Sequence, residues 1–184
     1  GDLSQTAKGK TDQDGKLTVP EIEERERHGT YILGYTDGTF GPSRSMTRSE
    51  AAAIFSRLLA EKNGDTISTA ANTKFADIPA HAWYSGYVKY LSNNGITYGK
   101  SKTIFAPNDA ITRAEFTTMA VRFFDVYGDG DAEIMEQFSG FNDVSSGYWA
   151  AEYIKYAALH GWINGYGDGS FHADREINRA EVVT

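Results

Sequence analysis

The chain has 184 residues, 40% of them hydrophobic and 13% aromatic, which is enough to build a packed core and excludes a disordered tail. Its net charge of −7 argues against binding nucleic acid or an anionic membrane by bulk charge, so any bound anion must be held by local groups. There is no cysteine, which excludes disulfides and thiolate metal sites, and no apolar run near the ~18 residues of a membrane span. The sequence shows no signal-peptide pattern, begins at Gly1 without Met and stops at Thr184 inside a helical pattern, so it is expected to be a mature or excised piece.

The first distinctive stretch, Lys10 to Glu21, resembles an EF-hand loop. Acidic residues fall at loop positions three and five, Gly at six, an aliphatic at eight and Glu at twelve. Asp12, Asp14 and Glu21 are therefore the metal-ligand candidates, and calcium is the one cofactor suggested. Lys10 stands where the first Asp ligand belongs, which removes a main ligand and adds a positive charge. The favoured reading is therefore no bound metal and no cofactor, with the stretch a solvated acidic turn entering a polar helix, Glu21 to Arg27.

A Gly-Asp loop follows at Gly34 to Phe40, then Thr47-Arg48-Ser49-Glu50. A Thr followed three residues later by Glu predicts a capping box and a helix start. Ala52, Phe55, Leu58 and Leu59 behind it form a core-facing stripe. Next come the turn Phe75-Ala76-Asp77-Ile78, Trp83, a helix closing at Gly95, a loop at Gly99, Phe105, and the cap Thr112-Arg113-Ala114-Glu115 with Met119 and Phe123 behind it. Beyond a Gly-Asp linker the pattern returns: Phe141-Asn142-Asp143-Val144, Trp149, Ile154 and Ala157-Ala158 at roughly helical spacing, Gly161, Gly165, Phe171, and Asn178-Arg179-Ala180-Glu181. These matches at fixed offsets define one helix-loop-helix unit repeated every ~65 residues. The units are 28–65, 73–128 and 139–184, with residues 1–27 as a tail. The first copy lacks the Trp and the Phe-x-Asp turn, and the third is cut seven residues into its second helix.

The runs GYTDGTF (34–40), GYGDGSF (165–171), MTRSE (46–50), ITRAE (111–115) and INRAE (177–181), with FADI...W (75–83) and FNDV...W (141–149), resemble S-layer homology repeats. The resemblance covers residues 28 to 184 and rests on several motifs recurring in order. It implies a mainly α fold of three helix-loop-helix repeats in a pseudo-threefold arrangement, at the surface or in the wall of a bacterium. Grooves between the repeats would bind secondary cell-wall polysaccharide, often capped by a pyruvylated amino sugar. Carried over by motif, Arg48, Arg113 and Arg179 would contact the acidic sugar. Asp77, Trp83, Gly99, Asp143, Trp149 and Gly165 would shape the groove. The first copy's missing Trp and the altered loop Gly99-Lys100-Ser101-Lys102 of the second depart from the pattern.

The residues also allow an independent reading. Each Arg falls at the first helical position, where a cation opposes the helix dipole, and where an anion would meet both a fork donor and free amides. Against that stands a plain salt bridge or a solvent-facing Arg. Trp83 and Trp149 are expected as core anchors with a ring edge toward the groove. Each cap Glu is expected to be structural. Asp77 and Asp143 either cap the following turn or line the groove. No catalytic set is present: His28, His81, His160 and His172 fall at unrelated repeat positions, and no Gly-x-Ser-x-Gly or phosphate loop occurs. The chain is therefore read as a non-enzymatic binding module for the wall polymer, without nucleic-acid binding or membrane insertion. The alternative is a protein-interaction or surface-lattice module that self-associates.

Overall fold

The computed structural model describes residues 10–11, 17–18, 32–34, 37–127 and 138–182. Its described part is helix-rich: α1 (Arg48–Asn63), α2 (Ser85–Asn93), α3 (Arg113–Tyr127), α4 (Ala151–Leu159) and α5 (Arg179–Val182). Two short strands, β1 (Lys10–Thr11) and β2 (Leu17–Thr18), pair antiparallel. The calcium-ligand candidates Asp12, Asp14 and Glu21, and the polar helix Glu21 to Arg27, lie outside the described residues.

All three capping boxes form. The Thr47 hydroxyl accepts from the Glu50 amide at 3.2 Å, and the Glu50 carboxylate accepts from the Thr47 amide at 2.8 Å. Thr112 and Glu115 repeat this at 3.2 and 3.1 Å, and Asn178 and Glu181 at 2.9 Å in both directions. Each box satisfies amides that a helix start leaves open, so the cap residues fix where α1, α3 and α5 begin. At the other end, α2 and α4 stop two residues ahead of Gly95 and Gly161, whose φ values of 75° and 68° are left-handed.

The apolar stripes then fold inward. Ala52, Phe55, Leu59 and Met119 are buried, and Leu58 and Phe123 pack against them. The Phe55 ring lies 5.2 Å from Phe116 and 5.3 Å from Phe123, which joins α1 to α3. α1 also packs on α2, and α3 on α4, so the second helix of one copy covers the first helix of the next. A smaller core around Ala114, Ile154 and Phe171 serves the third copy.

The residues just ahead of the three caps bond in a closed cycle. The Met46 amide donates to the Ile177 carbonyl at 3.0 Å, Ile177 donates to Ile111 at 3.1 Å, and Ile111 donates to Met46 at 2.8 Å. All three side chains are buried. Residues far apart in sequence therefore meet at one centre, and each capped helix starts beside the loop of another copy.

Candidate functional site

The three Arg residues do occupy the first turn of α1, α3 and α5, but their side chains reach away from their own helices. Arg48 Nε donates to the Phe105 carbonyl at 2.8 Å, Arg113 to Phe171 at 3.0 Å, and Arg179 to Phe40 at 2.9 Å. Each guanidinium also stacks on the ring of that same Phe, 4.6 to 4.9 Å from its centroid. Copy one thus grips copy two, copy two grips copy three, and copy three grips copy one. Arg48 and Arg179 are 4% and 3% exposed, and Arg113 is half-buried. Arg48 further pairs with Glu115 at 2.8 Å, and Arg179 with Glu50 at 3.4 Å, so a cap Glu of another repeat offsets each cation's cost at its helix end.

The helix N-termini are not open to an anion, contrary to the expectation of free amides there. The Arg48 and Ser49 amides donate to the carbonyls of Asp109 and Pro107, those of Arg113 and Ala114 to Arg175 and Ala173, and those of Arg179 and Ala180 to Arg44 and Pro42. The cap side chains take the third amide of each turn. The closure of the three copies consumes these donors, and closure is invisible to local spacing.

Asp77 and Asp143 turn out to cap a distant loop rather than their own turn. The two carboxylate oxygens of Asp77 accept from the amides of Phe105 and Ala106 at 2.9 and 2.6 Å. Asp143 does the same for Phe171 and His172, both at 2.7 Å. Ala106 and His172 sit at φ 58° and 54°, a left-handed conformation that costs a non-glycine residue roughly 1–2 kcal/mol. The forked carboxylate holds the loop in it. Burial disfavours the charged form of Asp143, yet the two amides hold its carboxyl below the ordinary 3.8. Gly99 is fixed by packing as well as by its φ of 80°: an added Cβ would lie 2.5 Å from the Phe75 ring and 2.6 Å from the Ile104 carbonyl. A Cβ on Gly165 would strike the Phe141 ring in the same way.

Trp83 and Trp149 are not core anchors. They are 54% and 56% exposed, on the turns just before α2 and α4, outside the helical stripes that the core selects. Trp83 packs edge-on to Tyr84 and Tyr87, and Trp149 against Tyr148. Trp149 instead walls a groove of 440 Å³ together with Arg48, Tyr98, Gly99, Lys100 and the face of α3 carrying Glu115, Thr118, Met119 and Arg122. Three of the sequence-predicted residues, Arg48, Gly99 and Trp149, thus meet there from three different copies. A second, wider depression of 650 Å³ lies beside Asp143, Tyr148, Tyr166, His172 and Arg175. Tyr148 donates to Asp174 at 2.7 Å, and burial with that carboxylate pushes its hydroxyl up to about 12. The Tyr166 ring, which lines that depression, also stacks on the Arg113 guanidinium at 5.2 Å, but Arg113 itself does not line it. Asp77, Trp83, Arg113, Gly165 and Arg179 line neither.

Motif reading passed over Arg122. Its guanidinium lies 4.7 Å from the Tyr98 ring and 4.8 Å from the Tyr153 ring, and its Nε and one terminal nitrogen donate to the Tyr153 hydroxyl at 3.2 and 3.0 Å. Arg57 stacks on Tyr87 in the same way at 4.9 Å. The signal was in the repeat: Arg57 and Arg122 each follow a first-turn Arg by nine residues, and Tyr87 and Tyr153 each follow a Trp by four. Among the described residues no group of His, Asp or Glu is placed to hold a metal ion, and no helix is long and apolar enough to cross a membrane.

Comparison with known proteins agrees with this repeat structure. The family model for the S-layer homology domain matches residues 12–52, 74–117 and 140–183, well over half of the chain. The first span begins inside the segment that motif spacing sets apart as a tail. The chain is similar to Cell surface glycoprotein 1 of Acetivibrio thermocellus, at 35% identity over 85% of this chain and 7% of that protein. It is similar to the Cellulosome-anchoring protein of the same organism, at 30% identity over 95% of this chain and 38% of that protein. The Surface-layer 125 kDa protein of Lysinibacillus sphaericus is 36% identical over 73% of this chain and 10% of its own length. The chain therefore spans 38% or less of the length of these relatives. Three matched spans in tandem, each ending in a capped helix whose Arg grips another copy, place this chain in the S-layer homology domain family.

Proposed function

We propose that this chain is a non-enzymatic anchoring module of a bacterial cell surface. It binds an acidic, pyruvylated secondary cell-wall polysaccharide in grooves between its repeats, and so holds a larger exported protein on the wall. The observation that carries this reading is the groove at Trp149. It joins one residue expected at a glycan site from each of the three copies, and it pairs an exposed indole with cationic side chains. An aromatic face suits the apolar side of a sugar ring, and the cations suit its carboxylate. The volume of 440 Å³ is in the range of small-ligand sites. Relatives named as surface-layer and anchoring proteins point the same way. We further read the repeats, 28–65, 73–128 and 139–184, as related by a pseudo-threefold axis. Support comes from the cyclic bonds among Met46, Ile111 and Ile177 and the matching cycle of Arg clamps.

Trp149→Ala tests the reading, because that side chain is over half exposed and its loss leaves the core intact. Co-sedimentation with purified bacterial sacculi should weaken about tenfold, as for loss of an aromatic anchor. Unchanged co-sedimentation contradicts a glycan site at this groove.

A second reading, a surface-lattice or protein-interaction module, is favoured by one observation. Phe124, Tyr156, His160 and Trp162 stack into an aromatic patch at the ends of α3 and α4, with Trp162 37% exposed. Light scattering that finds a stable oligomer, with no binding to sacculi, selects this reading over the first.

A further inference from the structure

The wall of the groove at Trp149 holds an unmet hydrogen-bonding group, covered until a ligand shifts that wall. Thr118 is 2% exposed and lines the groove, and its Oγ1 is a buried side-chain oxygen with no hydrogen-bond partner among the described residues. A hydroxyl buried without a partner is unfavourable, and native folds keep such groups rare. The helix does not need it there: the corresponding position on α1 is Ala53, and α1 is the longer helix. Arg122 stands one turn further along α3, four residues on, and therefore on the same face.

Of the groove's cations, Arg122 is the one with no carboxylate partner among the described residues. Arg48 is committed to Glu115 at 2.8 Å and to the Phe105 carbonyl, so that pair is neutral. Lys100 is bonded to Asp109 at 2.8 Å, and this holds the Asp109 carboxyl below its ordinary value. Arg122 meets only the hydroxyl of Tyr153 and two aromatic rings, with no carboxylate against it among the described residues. Stacking between Tyr98 and Tyr153 holds its planar fork in one orientation, which lowers the ordering cost of a bidentate contact. Exposed indole, fixed fork and orphan hydroxyl together make the recognition set of a sugar bearing both a carboxylate and free hydroxyls.

We propose that Arg122 and Thr118 are the specificity-determining pair of this groove: Arg122 takes the carboxylate of an acidic sugar residue and Thr118 Oγ1 bonds one of its hydroxyls, while Arg48 acts as a positioning residue that clamps the Phe105 loop. This rests on the glycan-binding reading above and deepens it. The test uses the 184-residue chain and two replacements, Thr118→Val and Arg122→Gln, with Thr118→Ser as the conservative control. The probe is purified bacterial sacculi carrying an acidic secondary polysaccharide, compared with the same sacculi after acid stripping of that polymer. Thermal stability is measured in parallel.

Thr118→Val keeps the shape and removes the hydroxyl, so its melting temperature should equal or exceed that of the parent while affinity falls about fivefold. Thr118→Ser should restore most of the affinity. Arg122→Gln should lose about tenfold or more, with reduced salt dependence. If Thr118→Val melts higher and binds as tightly as the parent, the hydroxyl is only a packing defect and the proposal falls. Full binding by Arg122→Gln overturns it equally. In both cases a parent chain that still binds intact but not stripped sacculi leaves the anchoring function standing. A parent chain that binds neither preparation removes the anchoring function and this pair with it.

Discussion

At the scale of single residues, polar side chains in this chain mostly fasten one segment to another. Asp77 joins two loop amides across 28 residues, and so helps hold Ala106 in its left-handed backbone. Asp77→Ala should cost about 1.5–3 kcal/mol in chemical unfolding, the range for hydrogen bonds to a charged group. Asp143 and Asp168 contribute to the pH dependence, together with Asp37 and Asp109, whose carboxyls are also held below the ordinary value. Burial opposes the Asp143 charge, but the amides of Phe171 and His172 lower its carboxyl overall, while the Ser170 hydroxyl and amide lower that of Asp168. Both folded-state values lie below the ordinary 3.8. Their stabilisation is therefore complete above 3.8 and is lost as pH falls through the lowered values. Calorimetry should show the parent losing melting temperature steeply below pH 4, and Asp143→Asn starting lower and losing less over the same range. The sequence displayed Asp77 and Asp143 through their repeated Phe-x-Asp setting. It did not display their partners, because those partners lie in a loop that only the fold brings near.

At the scale of elements, the capped helices were legible and their clamps were not. A capping box is a contact within four residues, so Thr47 with Glu50, Thr112 with Glu115 and Asn178 with Glu181 could be read directly. The target of each first-turn Arg depends on which loop closes over the helix start, and local spacing contains no such information. Trp149 reaches the groove, as expected of its ring edge, but is not a core anchor, for a related reason. It sits just ahead of α4, where helical spacing no longer decides which side faces inward. Because Arg48 is 4% exposed and paired with Glu115, Arg48→Ala should destabilise the fold by roughly 3–5 kcal/mol. Arg48→Lys should recover little of it, since an ammonium cannot reproduce the stacked fork. Denaturant titration measures both. Gly99→Ala should likewise unfold more easily, by about 2 kcal/mol or more, because its Cβ meets the Phe75 ring and its φ of 80° disfavours any side chain.

At the scale of the whole molecule, three imperfect copies complete one another. Each lends an Arg to the Phe loop of another, and the groove at Trp149 exists only where residues of all three copies meet. The repeat itself was the most legible feature, since motifs at fixed offsets need no knowledge of contacts. The face proposed to recognise the glycan was the least legible: Arg122 shows only as a repeat spacing shared with Arg57, and Thr118 gains meaning only from what surrounds it. A site assembled in this way should be lost whenever closure is lost, so Arg48→Ala should weaken glycan binding through unfolding while Trp149→Ala weakens it in a folded chain. The most direct test of the account is a calorimetric titration of the folded chain with purified acidic secondary polysaccharide, before and after its carboxyl-bearing groups are removed. Saturable binding to the acidic polymer, abolished by that removal, is the predicted result. Equal binding to both polymers, or binding to neither, contradicts it.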